Sequence, residues 1–288
     1  MAALLALLRH PSFSSRCVAM GDWRHPVSRA ERQAKWRHEF SQSLHQSSTQ
    51  LGTIISTPSI EVADVISGSG FDWVFVDAEY GSISIDSLVG VLAVVQSKVP
   101  ALVRIPDHQD TSIKRALDAG ADGIIVPQVG SARDAGRIVA SAKYPPMGVR
   151  SVGIGRAHNY GTQFAEYIAS ANGTTAVVVQ IEHIDAVENI EEIISVPGID
   201  GVFIGPYDLS GSLGCVGQVN DHRVQEAIQH TVAICRAAGL PVGVFAGSVQ
   251  AAKPYVDDKF DFVAVGLDMM LLSLAAKEIL EQLRVTDV

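Results

Sequence analysis

The chain has 288 residues, 47% of them hydrophobic, enough to bury one large core, and its length suits either one α/β barrel or two modest domains. The formal charge of -9 is unevenly spread: the first fifty residues hold seven Lys/Arg against three acids, leaving 15 basic and 28 acidic residues beyond them, a balance of -13. Such an acidic body argues against nucleic acid as a partner, and no apolar run approaches the roughly 20 residues of a membrane span.

Residues 1 to 50 read as an N-terminal extension with one helix. Residues 1 to 21 contain no acid, include Arg9 and Arg16, and open with the apolar block Ala2 to Leu8. These features are compatible with a mitochondrial presequence and equally with an adventitious extension. From Arg29 to about Leu44, a polar stretch with Trp36 and Phe40 four residues apart predicts a helix packed across the end of a barrel. Residues 51 to 288 then read as one domain in which β-branched runs alternate with helical segments. The predicted strands are Leu51 to Ser56, Trp73 to Asp77, Ala101 to Arg104, Gly123 to Val126, Ala176 to Ile181, Gly201 to Ile204, Val242 to Phe245 and Phe262 to Val265. The predicted helices are Ile60 to Ile66, Ile85 to Gln96, Thr111 to Leu117, Ala132 to Ala142, Ala186 to Ile194, Val224 to Ala237, Val249 to Tyr255 and Met269 to Leu283. Eight strand and helix units with short links point to a (β/α)8 TIM barrel, whose catalytic groups sit at the C-terminal ends of the strands; an open doubly wound sheet is the alternative.

The connection from Tyr144 to Thr174 breaks this rhythm. It contains Pro145-Pro146-Met147-Gly148 and the glycine-rich run Gly153 to Gly161, and its length predicts a lid or a subunit contact. No strand leads directly into these glycines and no helix opens at the third, which excludes a dinucleotide fingerprint. Cys17, Cys215 and Cys235 are odd in number and lack CxxC spacing, so neither a disulfide framework nor a structural zinc site is expected. They suit a reducing compartment, the cytoplasm or, with a cleaved presequence, the mitochondrial matrix.

Two segments carry the chemistry. Val177 to Ile181 and Gly201 to Ile204 are apolar runs suited to strands buried on both faces, and each delivers a carboxylate where the run stops: Glu182, and Asp208 just beyond Pro206. Carboxylates at the mouth of a parallel barrel are reachable yet firmly held, which suits the ligands of a divalent cation. Taken singly, Glu182 reads as well as a cap of the following helix, and Asp208 as a turn stabiliser. An acidic body does not exclude anionic substrates, because a metal and one arginine invert the local field.

FDWVFVDAEY (Phe71 to Tyr80), VRIP (Val103 to Pro106), LDAGADGIIVP (Leu117 to Pro127), YPPMGVR (Tyr144 to Arg150), VVVQIE (Val177 to Glu182) and GVFIGPYDLS (Gly201 to Ser210) occur in this order. Together they resemble the 2,4-dihydroxyhept-2-ene-1,7-dioate aldolase family, the class II pyruvate aldolases related to citrate lyase β subunit and macrophomate synthase. The resemblance covers roughly Leu51 to Leu283. It implies that Glu182 and Asp208 hold Mg2+ or Mn2+, leaving positions for the carboxylate and 2-oxo oxygens of a 2-oxo acid. It implies that Arg104 steadies the enolate oxygen, with a plain ion pair to Asp77 or Glu79 as the other reading. Gln180 matches a substrate-contacting glutamine, or is a barrel-lining amide, and the Tyr207 backbone would meet the substrate carboxylate together with Asp208. Asp77 and Glu79 would accept from metal-bound water or simply balance Arg104. Relatives assemble as oligomers, commonly hexamers whose dimers exchange C-terminal helices, and the apolar run from Met269 to Ala276 suits such a helix.

The departure from the pattern is Tyr80, which stands where the family has a histidine made more basic by an aspartate matching Asp118. A phenol with an ordinary pKa near ~10 is a poor base. Asp118 then either hydrogen-bonds Tyr80 or caps its helix before Gly120, and His108 or His158 is a substitute base or a solvated loop residue. The sequence thus points to a metal-dependent carbon–carbon lyase acting on 2-oxo acids through a pyruvate enolate. Because of Tyr80 the alternative is an oxaloacetate-type 2-oxo acid decarboxylase, which needs no base, or an enolate-using synthase, and a non-catalytic barrel subunit is the third reading.

Overall fold

The computed structural model describes residues 49 to 284. The helix expected from Arg29 to Leu44, the presequence-like segment and Cys17 lie outside them. Eight parallel strands close into a barrel in sequence order: β1 Gln50–Ile55, β2 Trp73–Asp77, β3 Ala101–Arg104, β4 Gly123–Val126, β5 Ala176–Ile181, β6 Gly201–Ile204, β7 Val242–Ala246 and β8 Phe262–Leu267. Closure between β8 and β1 excludes the open sheet. The helices are α1 Ile60–Ser67, α2 Ile85–Val95, α3 Asp110–Ala119, α4 Ala132–Ala142, α5 Phe164–Thr174, α6 Ile184–Glu188, α7 Ile190–Ile194, α8 Pro206–Ser212, α9 His222–Ala237, α10 Val249–Asp257 and α11 Asp268–Arg284. No helix among the described residues is long and apolar enough to cross a membrane.

Period-two alternation sorts each strand into two layers. Val74 and Val76 face the helices, while Trp73 and Phe75 point into the barrel. There Trp73 meets Phe262 edge-on at 5.6 Å and Phe75 meets Phe203 at 5.4 Å, pairs worth about 0.5–1.5 kcal/mol beyond their buried area. Gly52 and Gly243 make this possible, because a Cβ at either would come within 2.8 Å of Trp73 or Phe262 ring atoms.

The opposite end of the barrel is tied by four aspartates, each standing just before an even-numbered strand. Asp72, Asp122, Asp200 and Asp261 accept from the backbone N–H of Leu51, Ala101, Val177 and Val242 at 2.8, 2.9, 2.9 and 2.8 Å, and each returns its own N–H to the same residue's carbonyl. Charged acceptors thus hold the start of every odd-numbered strand.

Three differences from the sequence reading have local causes. The helix expected over Ala186 to Ile194 is two short ones broken at Asn189, and a short helix begins at Pro206, whose fixed φ suits a first helical position. The long connection contains α5, whose Tyr167 and Ala171 pack against Tyr144 and Ala157.

That connection does not cover the mouth. Lys143 is fully buried and donates to the carbonyls of Thr175 and Asn172. The Arg150 guanidinium lies 4.6 Å from the Tyr144 ring centre and donates to Asp118 at 2.6 Å, and Arg156 donates to Gln96 and to the Ala119 carbonyl. These anchors sit at the C-terminal ends of α2 and α3, the face opposite the strand C-termini, so a lid over the chain's own site is excluded.

Candidate metal-binding active site

The β2 end is a compact electrostatic unit. Asp77 Oδ1 accepts from the backbone of Glu79 (3.0 Å) and Tyr80 (3.3 Å), folding Asp77-Ala78-Glu79-Tyr80 into a tight turn over the barrel mouth. Across the β2–β3 register, Arg104 forks onto the same carboxylate, Nε to Oδ1 at 3.0 Å and Nη2 to Oδ2 at 2.8 Å. Its guanidinium carbon lies 5.0 Å from the ring centres of both Phe75 and Tyr80. The ion-pair reading of Arg104 therefore holds, but Nη1 makes no hydrogen bond within the described residues.

Glu182, the residue after β5, is almost fully buried, with each carboxylate oxygen addressed by one donor. The backbone N–H of Gln128 reaches Oε1 at 2.7 Å, and the Gln180 amide nitrogen reaches Oε2. The first donor depends on Gln128 adopting a left-handed φ of 54°, which costs a non-glycine residue about 1–2 kcal/mol. Glu182 does not cap the next helix; the His183 ring does, accepting from Asp185 N–H at 3.2 Å. Asp208 lies in the first turn of α8, exposed, and its carboxylate makes no hydrogen bond within the described residues. Glu182 and Asp208 line one cleft of about 490 Å³ together with Gln128, Gly130, His183, Asp185 and Ser212. Gly205 leaves room for the Glu182 and Gln180 side chains, since a Cβ there would stand 3.1 Å from Glu182 Oε2 and 3.2 Å from Gln180 Nε2.

Electrostatics at the mouth favour an added cation. Burial, with the charges of Glu182, Asp77 and Asp208, pushes the Glu79 carboxyl up to about 7 against the opposing pull of Arg104. Burial and Asp208 also raise Glu182. At the mouth, two of the described residues' buried oxygens have no hydrogen-bond partner, Gln180 Oε1 and Glu79 Oε2. The latter lies 3.2 Å from Arg104 Nε, but that N–H points at Asp77. Among the described residues no group of three or more His, Cys, Asp and Glu could enclose a metal. Two hard carboxylates and uncommitted amide and carboxylate oxygens fit a divalent ion that takes its remaining ligands from substrate or water.

Tyr80 and Asp118 are not brought together within one chain. Tyr80 is 69% exposed beside Arg104, and Glu79 raises its phenol further above the ordinary value. Asp118 ends α3 at the other face, paired with Arg150. His158 is fully buried near that face, its Nε2 shared between Gly153 and Gly155. His108 is engaged with the Pro127 carbonyl. Tyr207 lies at the start of α8, its ring 6.1 Å from Phe245.

The sequence reading missed three groups. Phe75 supports Arg104 and was legible as the same-face neighbour of Asp77 on β2. The Gln128 backbone carried only the weak turn signal of Pro127. Asp268, another carboxylate where an apolar run stops, accepts from the backbone and hydroxyl of both Ser56 and Thr57 at 2.6–3.0 Å and seals β8 to β1, so a strand-end acid alone does not specify a ligand.

Residues 52–275 match the family described as HpcH/HpaI aldolase/citrate lyase. The 4-hydroxy-2-oxovalerate aldolase of Rhodococcus jostii is 38% identical over 238 residues, covering 82% of this chain and 92% of its own. The 2-dehydro-3,6-dideoxy-6-sulfogluconate aldolase of Pseudomonas putida is 35% identical, covering 84% and 95%. Among solved structures, an HpcH/HpaI aldolase/citrate lyase family protein of Burkholderia cenocepacia superposes with a TM-score of 0.82 at 29% identity, over 86% of this chain and 99% of that one. With the barrel and the carboxylate cleft described, a match spanning every strand means that this chain belongs to the HpcH/HpaI aldolase/citrate lyase family.

Proposed function

We propose that the protein is a class II carbon–carbon lyase that cleaves 4-hydroxy-2-oxo acids to pyruvate and an aldehyde, with Glu182 and Asp208 holding Mg2+ or Mn2+. The observation that carries this reading is Glu182 and Asp208 in one open cleft, coupled to an arginine with one uncommitted donor. The bound cation would polarise the 2-oxo group of the substrate. Arg104 is held by Asp77 and flanked by two rings, so its Nη1 donates to the oxygen on which enolate charge develops without reorganising, the arrangement that stabilises a transition state. Gln180 orients Glu182 through its amide nitrogen and keeps Oε1 for the substrate. The Tyr207 N–H, in the first turn of α8, serves the substrate carboxylate beside Asp208. Tyr80 covers the Arg104 face and is not the base.

The working unit is a homo-oligomer, hexameric by resemblance. The apolar side chains of α11 support this, with Leu272, Ile279 and Leu283 each 59% or more exposed, as do Val149, Val152 and Ile154 on the long connection. The deciding assay follows pyruvate release from 4-hydroxy-2-oxo acids with and without EDTA. Asp208→Ala and metal removal should each abolish turnover, and restored Mn2+ should recover the wild type. Undiminished activity in EDTA, or pyruvate trapped covalently on a lysine by borohydride, refutes the assignment.

A further inference from the structure

The geometry points to His108 as a positioning residue for Glu182, acting through the peptide group between Pro127 and Gln128; this rests on the reading of Glu182 as a cation ligand. The two hydrogen bonds involved belong to one planar unit. His108 Nε2 lies 2.5 Å from the Pro127 carbonyl oxygen, and the N–H on the other side of the same peptide reaches Glu182 Oε1 at 2.7 Å. A carbonyl oxygen only accepts, so Nε2 carries the proton and the ring is held in that tautomer. His108 is thereby committed as a donor and is not the missing base.

The peptide needs such a hold. Rotating it about the β4 end would swing the N–H away from Glu182, and Gln128 already sits at a positive φ that its side chain disfavours. Glu182 itself is buried, so loss of its backbone donor leaves the carboxylate short of one partner and free to turn away from the cleft. A donor on a carbonyl also polarises the peptide and strengthens the N–H at its other end, so the two bonds reinforce one another. Nothing in the β4 run Gly123 to Val126 signals this, because His108 comes from the β3–α3 loop and meets Pro127 only in the closed barrel.

The test measures Mn2+ binding to the full-length chain without substrate, by the electron paramagnetic resonance signal of free Mn2+. His108→Phe keeps a ring and removes the donor; His108→Gln keeps an amide donor. Groups that orient metal ligands typically contribute 10- to 100-fold in affinity, so His108→Phe should weaken Mn2+ by roughly tenfold and His108→Gln should recover most of that loss. His108→Ala, lacking both ring and donor, gives the same reading where the Phe variant does not fold. Thermal unfolding of the metal-free variants checks that the barrel is intact. Glu182→Gln separates the two levels: if it leaves Mn2+ affinity unchanged, the metal reading falls and this inference with it. If Glu182→Gln loses the ion while folded His108→Phe and His108→Ala keep wild-type affinity, the assignment of His108 alone is overturned.

Discussion

Replacing Asp77 by Ala should damage stability and activity together, because one carboxylate serves the Arg104 fork and the turn that carries Glu79 and Tyr80. The substitution removes two charge-assisted bonds from Arg104 at 3.0 and 2.8 Å and one acceptor from two backbone N–H groups. Arg104 and Asp77 are only 11% and 6% exposed at their side chains, so the guanidinium would be left nearly buried. Removing one partner of a buried pair costs about 3–5 kcal/mol. Glu79, 3.2 Å from Arg104 Nε, would take part of the released charge, which brings the expected loss to about 2–3 kcal/mol. For a chain of this size that lowers Tm by roughly 5–10 °C. Activity should fall further than occupancy explains, about 10²-fold in kcat with a smaller change in KM, since a misplaced donor loses stabilisation made mainly in the transition state. Differential scanning calorimetry and steady-state pyruvate release measure the two effects. Asp77→Asn, which keeps the shape of the acceptor but not its charge, should fall between wild type and Asp77→Ala. An Asp77→Ala protein with unchanged Tm and kcat would refute the view that this carboxylate holds Arg104.

Glu79 is pushed up to about 7 by burial and neighbouring carboxylates, so the metal-free fold binds more protons than the unfolded chain between the ordinary carboxyl range and neutrality. Metal-free stability should fall as pH rises from about 4.5 to about 7, and stabilisation by Mg2+ or Mn2+ should grow over that interval; a cation effect equal at both ends would argue against a site among these carboxylates. Tyr80→Phe should keep kcat within about threefold, since an exposed phenol with a raised pKa gives up no proton at neutrality, and a 10²-fold loss would restore Tyr80 as an acid–base group. Asp122→Ala strands the Ala101 N–H and removes one of the two acceptors of the Gln96 amide nitrogen, both bonds at 2.9 Å, and should cost about 1–3 kcal/mol in chemical denaturation without changing Mn2+ affinity. Leu272→Asp with Ile279→Asp on α11 should lower the oligomer mass in light scattering while leaving the barrel folded; an unchanged mass would place the subunit contact elsewhere.

The eight strands were legible from residue order because a strand buried on both faces must be a short continuous apolar run, and such runs recur between helical periods from Leu51 to Val265. Glu182, Asp208, Arg104 and Gln180 were legible for a related reason: they stand where those runs stop, and closing a parallel barrel sends all such positions to one rim. The same rule also picks out Asp268, and only the folded chain separates a carboxylate saturated by Ser56 and Thr57 from one left open in the cleft, because that depends on which donors the barrel brings near. Asp118 shows the limit from the other side. Its place in the motif suggested a partner for Tyr80, yet a helix that leaves the mouth after β3 ends at the far face, and there Arg150 takes it. The Gln128 N–H on Glu182, the rings of Phe75 and Tyr80 around Arg104 and the His108 contact with Pro127 join residues 19 to 54 positions apart or set a backbone angle, and no local periodicity encodes either. Residue order determined the scaffold and the kinds of group at its rim; tertiary structure decided which of those groups remain free, because freedom to bind is what is left after every neighbouring donor and acceptor has been assigned.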